Sequence, residues 1–234
     1  MSTEAGREGQ QAPVTAAPAA PARRAVAGRP NQRVLIIAGV AVAVAGLATW
    51  MFISSARNKE AFANRELVRA RAAAEQGNLP LAASELQKII DTYHGTDAAQ
   101  NAVISLNQVR LINGQTDLAV VNLREFLSGK PEPKFVTPAE GMLGAALETA
   151  GRADDAAQAY RRASGATDIK YLKAEYLIDA GRAFRNAGKA DSAVAAYKTV
   201  VTDYSETPSL TEAKVRLAEL TQGQMAGTEK PPQG

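Results

Sequence analysis

Two carboxylates stand side by side at Asp154 and Asp155, inside the stretch GRADDA, residues 151–156. Adjacent acids beside an arginine suggest acid/base or metal chemistry, which requires groups that converge on a point from which water is excluded. Neighbouring residues on a helix diverge instead, and acids on an opening turn are favoured there by the helix dipole. The only histidine, His94, has no second histidine or cysteine to complete a common zinc set, and reads as a polar residue at a helix end. No phosphate loop, nucleophile elbow or zinc-binding helix motif occurs. The sequence therefore predicts no catalytic residue, no metal site and no cofactor.

GRADDA has three relatives: GNLPLA from Gly77, GQTDLA from Gly114 and GKADSA from Gly188. The four glycines are spaced 37 residues apart, and Ala82, Ala119, Ala156 and Ala193 each follow their glycine by five positions. A strict period of this size denotes stacked supersecondary units. Helical apolar runs flank each glycine, GMLGAALETA and AAQAYRRA in the third unit, YLIDAGRAF and AVAAYKTVV in the fourth. The glycine can end the first helix in a left-handed conformation, and the alanine lets the second pack closely against it.

These residues resemble the tetratricopeptide repeat pattern: a small residue in the first helix, a glycine turn, an alanine and then a large residue. The small positions are Ala70, Asn107, Gly144 and Gly181, of which Asn107 departs from the pattern; the large ones are Leu86, Leu123, Tyr160 and Tyr197. The resemblance implies an all-α, right-handed superhelix of about four helix-turn-helix repeats plus a C-terminal capping helix, SLTEAKVRLAEL. Capping boxes are expected at Thr137–Glu140, with Pro138 at the first helical position, and at Ser209–Glu212. KPEPK, residues 130–134, reads as a loop, and Tyr93 and Tyr204 as the ends of equivalent second helices.

Ahead of the repeats lies VLIIAGVAVAVAGLATWMFI, residues 34–53, twenty residues without a charge or proline. At about 1.5 Å per residue it matches the hydrocarbon thickness of a bilayer, and it lacks the polar stripe of a core helix. It is expected to be an uncleaved transmembrane helix rather than a signal peptide. With no proline or glycine between Ile53 and Gly77, the helix should run on into the first repeat and hold it rigidly near the bilayer. Residues 1–33, rich in Ala, Pro and Arg, and residues 223–234 are expected to be disordered tails, leaving 54–222 as the repeat domain. Basic residues flank the span on both sides, so charge alone does not orient it. A cytoplasmic N-terminus with repeats outside the cytoplasm is the simpler topology.

The five arginines against two glutamates in residues 1–33 account for the whole net charge of +3. The neutral remainder, in a chain only 5% aromatic, offers neither a basic face nor stacking platforms for nucleic acid. By the family register the concave, first-helix face is lined by Leu67, Arg71, Ala74, Ile104, Gln108, Leu111, Ala145, Glu148, Ile178, Arg182 and Arg185. That aliphatic and basic mixture suits an extended peptide or a partner helix. One span followed closely by about four repeats and a capping helix is similar to the bacterial ancillary subunits of the Sec translocon. That resemblance implies an inner-membrane, non-catalytic scaffold whose periplasmic repeats bind the translocon or chaperones. A repeat adaptor for envelope assembly or cell division, with cytoplasmic repeats, is the alternative.

Overall fold

The computed structural model describes residues 31–228, all helical apart from short connections. Nine helices follow in chain order: α1 (Gln32–Glu75), α2 (Leu79–Thr92), α3 (Asp97–Ile112), α4 (Thr116–Ser128), α5 (Pro133–Thr149), α6 (Ala153–Gly165), α7 (Lys170–Asn186), α8 (Ala190–Asp203) and α9 (Leu210–Thr228). The chain divides into two units at Trp50 and Met51. In the first, the described side chains from Leu35 to Trp50 are all exposed. α1 has no break between Ser54 and Lys59, as the absence of helix breakers there predicts.

In the second unit, α1 beyond Met51 pairs with α2, then α3 with α4, α5 with α6 and α7 with α8, and α9 covers α8. All four turns are built alike. Gly77, Gly114, Gly151 and Gly188 have φ of +80°, +73°, +72° and +73°. The amide of the following residue donates to a carbonyl five residues back, as from Arg152 to Leu147 (2.8 Å) and from Lys189 to Phe184 (2.9 Å). This Schellman arrangement satisfies carbonyls that the ended helix leaves free. The alanine five positions on is fully buried in every unit.

The sequence pattern extends to a contact it did not announce. A Cβ built on Gly144 would lie 2.6 Å from Cε1 of Tyr160, and one on Gly181 would lie 2.5 Å from Cε1 of Tyr197. The rings rest directly on the backbone of the first helix. Where the small residue is Ala70 or Asn107, the large one sixteen positions on is leucine, at Leu86 and Leu123. Gly141 gives the same room to Tyr176 of the next repeat, whose ring stacks on Tyr160 with centroids 6.5 Å apart. At the equivalent pairs Leu67/Ala102, Ile104/Ala139 and Ile178/Ala213, the large residue comes first and the small one second. Volume is thus conserved between repeats while its source changes, as close packing requires.

Asn107 explains a seam. Its side chain is fully buried, donates from Nδ2 to Asn122 Oδ1 (2.7 Å) and Val103 O (2.8 Å), and accepts from Arg110 Nη1 (3.2 Å). The polar cluster lies between two apolar cores, one built from α1 to α3 and the other from α4 to α9.

Three boundaries differ from expectation. α5 starts at Pro133, so Pro138 lies inside the helix rather than at its first position, and KPEPK is a loop only through Glu132. Burial of Phe135 draws in the extra turn, Pro133 has no amide to leave unpaired at N1, and Gln100 Oε1 accepts from the Glu132 amide (3.0 Å). At the other end α9 passes the expected limit at 222 and reaches Thr228. α1 begins at Gln32 rather than at 34. The proposed tails otherwise lie outside the described residues. Tyr93 and Tyr204 are the C-caps of α2 and α8, and Ser209 precedes α9 as expected.

Gly181→Ala should therefore destabilise the protein by about 1–3 kcal/mol through overpacking against Tyr197. Adding Tyr197→Leu, the pairing already used by Ala70 and Leu86, should recover part of that loss. Denaturant unfolding of the single and double variants measures it; additive losses would contradict the contact.

Candidate functional site

The GRADDA carboxylates diverge. Asp155 Oδ2 accepts from Arg152, on the turn before it, and from Arg124 Nη2 of α4 (3.4 Å). Asp154 Oδ1 accepts from Lys189 Nζ (2.6 Å) in the next turn. Each acid thus ties its turn to a different neighbouring repeat, and the arginines hold the Asp155 carboxyl below its ordinary range. No group of three or more acids, histidines or cysteines could hold a metal among the described residues. His94 lies in the exposed turn after α2, its backbone oxygen accepting from Lys59 Nζ (2.9 Å).

The first-helix layer is richer. Contacts between consecutive repeats recur about one period apart: Glu60 of α1 accepts from the Asp97 and Ala98 amides at 2.9 and 3.1 Å, capping α3, and Asp97 pairs with Lys134. Deeper along the helices runs a set of equivalent cross-repeat positions. Glu148 of α5 accepts two bonds from Arg182 of α7, Nε at 3.1 Å and Nη2 at 2.9 Å. One repeat later the signs are exchanged, with Arg185 of α7 facing Glu219 of α9 at 3.5 Å. In the earlier repeats the same positions are Ala74 with Gln108 and Leu111 with Ala145. At these positions, among the described residues, the C-terminal half of the face carries ion pairs and the N-terminal half carries uncharged residues.

The second-helix residue follows this division. Tyr160 Oη donates to Glu148 Oε2 (2.9 Å), and burial together with that carboxylate raises its pKa. Tyr197 has Arg185 in its own repeat at the position of Glu148, and among the described residues its buried hydroxyl has no hydrogen-bond partner. Where the pairs are uncharged, leucines stand in place of the tyrosines.

Predicted groove residues separate accordingly. Leu67 and Ile178 are only 3% and 5% exposed and belong to the two cores, so they are packing residues rather than groove lining. Ile104, Leu111 and Ala145 are half-buried. Glu148, Arg182 and Arg185 face one another's repeats in ion pairs. Arg71, Ala74 and Gln108 line a cavity of about 240 Å³ with Leu86, Ser105 and Val109. Sequence reasoning missed the ion pairs, although comparing residues one period apart exposes them.

Asp179 is the most perturbed acid of the layer. Burial pushes it up from 3.8 to about 6; Arg182, 3.0 Å away, pulls the other way but shares its charge with Glu148.

The profile of a tetratricopeptide repeat-like domain matches residues 52–177, and that of a tetratricopeptide repeat matches 175–207. No curated protein matches the chain. Among solved structures, similar folds occur in TPR-like repeats assigned to a kinesin light chain of Podosopora anserina. They share 17% identity and a TM-score of 0.58, covering 71% of this chain and 88% of that one. A tetratricopeptide repeat protein of Parabacteroides merdae shares 11% identity at a TM-score of 0.55, covering 69% and 60%. MamA shares 16% at 0.51, covering 74% and 98%. At these identities the likeness is one of fold alone.

Two predictions follow from the charges. Asp154→Asn with Asp155→Asn removes only exposed pairs and should cost less than about 1 kcal/mol. Gly151→Val, placing a branched residue at φ +72°, should cost more than the double change in the same melts. Asp179 binds its proton more tightly folded than unfolded, so its contribution is full below pH 3.8 and is lost as pH rises through about 6. Asp179→Asn should flatten the fall in Tm across that interval; an unchanged slope would contradict the assignment.

Proposed function

Because the chain belongs to the tetratricopeptide repeat-like domain family, a family of protein-interaction scaffolds, we propose that it is a membrane-anchored, non-catalytic scaffold whose repeats bind proteins outside the cytoplasm. The observation that carries this reading is the joining of one long apolar segment to an interaction module in a single helix. The segment has a mean hydropathy of 2.3 and none of its apolar window is buried. Leu35, Ile37, Val42 and Phe52 are 57%, 68%, 72% and 77% exposed, an arrangement suited to lipid. Thr49, the polar residue within it, turns its hydroxyl back to Ala45 O at 2.8 Å, satisfying the donor inside the helix.

The order of a span, four repeats and a closing helix supports a place beside a protein-export channel. There the first-helix face would meet the translocon, chaperones or emerging chains. Glu148, Arg182, Arg185 and Glu219 would stiffen the far end of that face, leaving the nearer repeats for binding.

A topology reporter fused after Gly234 should signal from outside the cytoplasm in a bacterial inner membrane, and extraction in mild detergent should recover translocon components with the chain. A cytoplasmic signal, or recovery without any translocon component, would contradict the reading.

A further inference from the structure

The cavity between the first two repeats has a physical origin. Two repeats on, the position of Ala74 carries Glu148 and that of Leu86 carries Tyr160 in the third repeat, and that of Gln108 carries Arg182 in the fourth. There the phenol, the carboxylate and the guanidinium bind one another and fill the space between the helices. The first repeat truncates the acid to alanine and the tyrosine to leucine, and about 240 Å³ stays open over Leu86 and Val109. Arg71 stands at its edge. Its Nε donates to Ser105 Oγ at 3.0 Å, which leans the side chain across to α3. Among the described residues Arg71 has no acidic partner within ion-pair distance, unlike Arg182 and Arg185. Glu75 also lines the cavity, one turn further on, where a carboxylate can accept from a backbone amide of a bound chain. Ile112, 64% exposed, extends the apolar wall outward.

We infer that this cavity anchors an extended partner segment carrying a large apolar side chain beside a carboxylate: the apolar group fills the space above Leu86, and the carboxylate meets the Arg71 guanidinium. The chain's own third repeat demonstrates the chemistry, since Tyr160, Glu148 and Arg182 realise the same combination internally. Charge complementarity selects the occupant. A guanidinium bound to a hydroxyl rather than to a carboxylate, at the rim of an apolar cavity, favours a carboxylate at that point, and Glu75 one turn away leaves its own end of the cavity to the backbone amides of the bound chain. The open volume has room for one large side chain, so the site reads a pair of residues within a longer segment whose remainder lies along Gln108 and Ile112. The inference rests on the first-helix face as the binding surface.

The test uses the full-length chain in mild detergent and an array of immobilised peptides with a Gly/Ser background. Each carries one central pair: Phe-Glu, Leu-Asp, Phe-Gln, Ser-Glu or Phe-Lys. Retention of Phe-Glu and Leu-Asp should exceed that of the other three by about tenfold, the worth of one charge-assisted contact for Phe-Gln and Phe-Lys and of one buried apolar side chain for Ser-Glu. Arg71→Gln should abolish the preference for Glu over Gln. Ala74→Leu, which fills the cavity and leaves Arg71 in place, should abolish the preference for Phe over Ser. Thermal melts establish that both variants fold. Equal retention of Phe-Glu and Phe-Gln, or a preference unchanged in both variants, would overturn the inference. Retention that ignores both variants but falls with Leu111→Glu or Ala145→Glu would move binding elsewhere on the face, overturning the inference and leaving the scaffold reading intact. A concentration-dependent dimer abolished by Ala74→Leu would assign the cavity to a second copy and also overturn it. Absence of any retention would overturn it as well, while co-extraction decides the scaffold reading separately.

Discussion

The third and fourth helical hairpins depend on one close approach, in which a first-helix residue is small enough for a larger second-helix side chain to lie over it. At Gly144 and Gly181 the tyrosine rings lie where a Cβ would be. That proximity lets the buried alanines after each turn come into register, and the register sets which residues of consecutive first helices meet. From it follow the ion pair of Glu148 with Arg182, its sign-exchanged counterpart at Arg185 and Glu219, and the open space beside Ala74. The features of the first-helix face are thus consequences of how much volume each hairpin places at one position.

The division of that face is energetic as well as geometric. Ion pairs that are partly exposed add little net stability, but a bidentate arginine and carboxylate fix geometry and occupy groups that a ligand would otherwise use. Glu148 and Arg182 are engaged in this way, and Arg185 meets Glu219 through a single contact at 3.5 Å. At the equivalent positions earlier in the chain stand the neutral pairs Ala74 with Gln108 and Leu111 with Ala145, over a polar seam at Asn107 and Asn122 where apolar packing between the cores is interrupted.

Much of this was legible in the sequence because the period is strict. The turn glycines, the buried alanines and the terminal tyrosines of α2 and α8 all fall out of a 37-residue comparison, since backbone conformation at a turn depends on few residues. The start of α5 was not legible: Thr137-Pro138-Ala139-Glu140 satisfies every local rule for a helix start, yet burial of Phe135 extends the helix upstream and accommodates Pro138 inside it. Leu67 and Ile178 share the register of the groove positions yet are buried, because lining and packing positions are neighbours on a helix surface and only side-chain contacts tell them apart. The GRADDA acids belong to a third class. Their divergence was predictable, whereas their partners, Arg124 and Lys189, come from other repeats and needed the fold.

The central claim is that partners bind the first-helix face, and site-specific photocross-linking in intact cells tests it most directly. A photoreactive amino acid at Gln108, on that face, should yield protein adducts, whereas one at Lys198, exposed on the second helix α8, should yield none. Adducts from position 198 with none from position 108 would contradict the account.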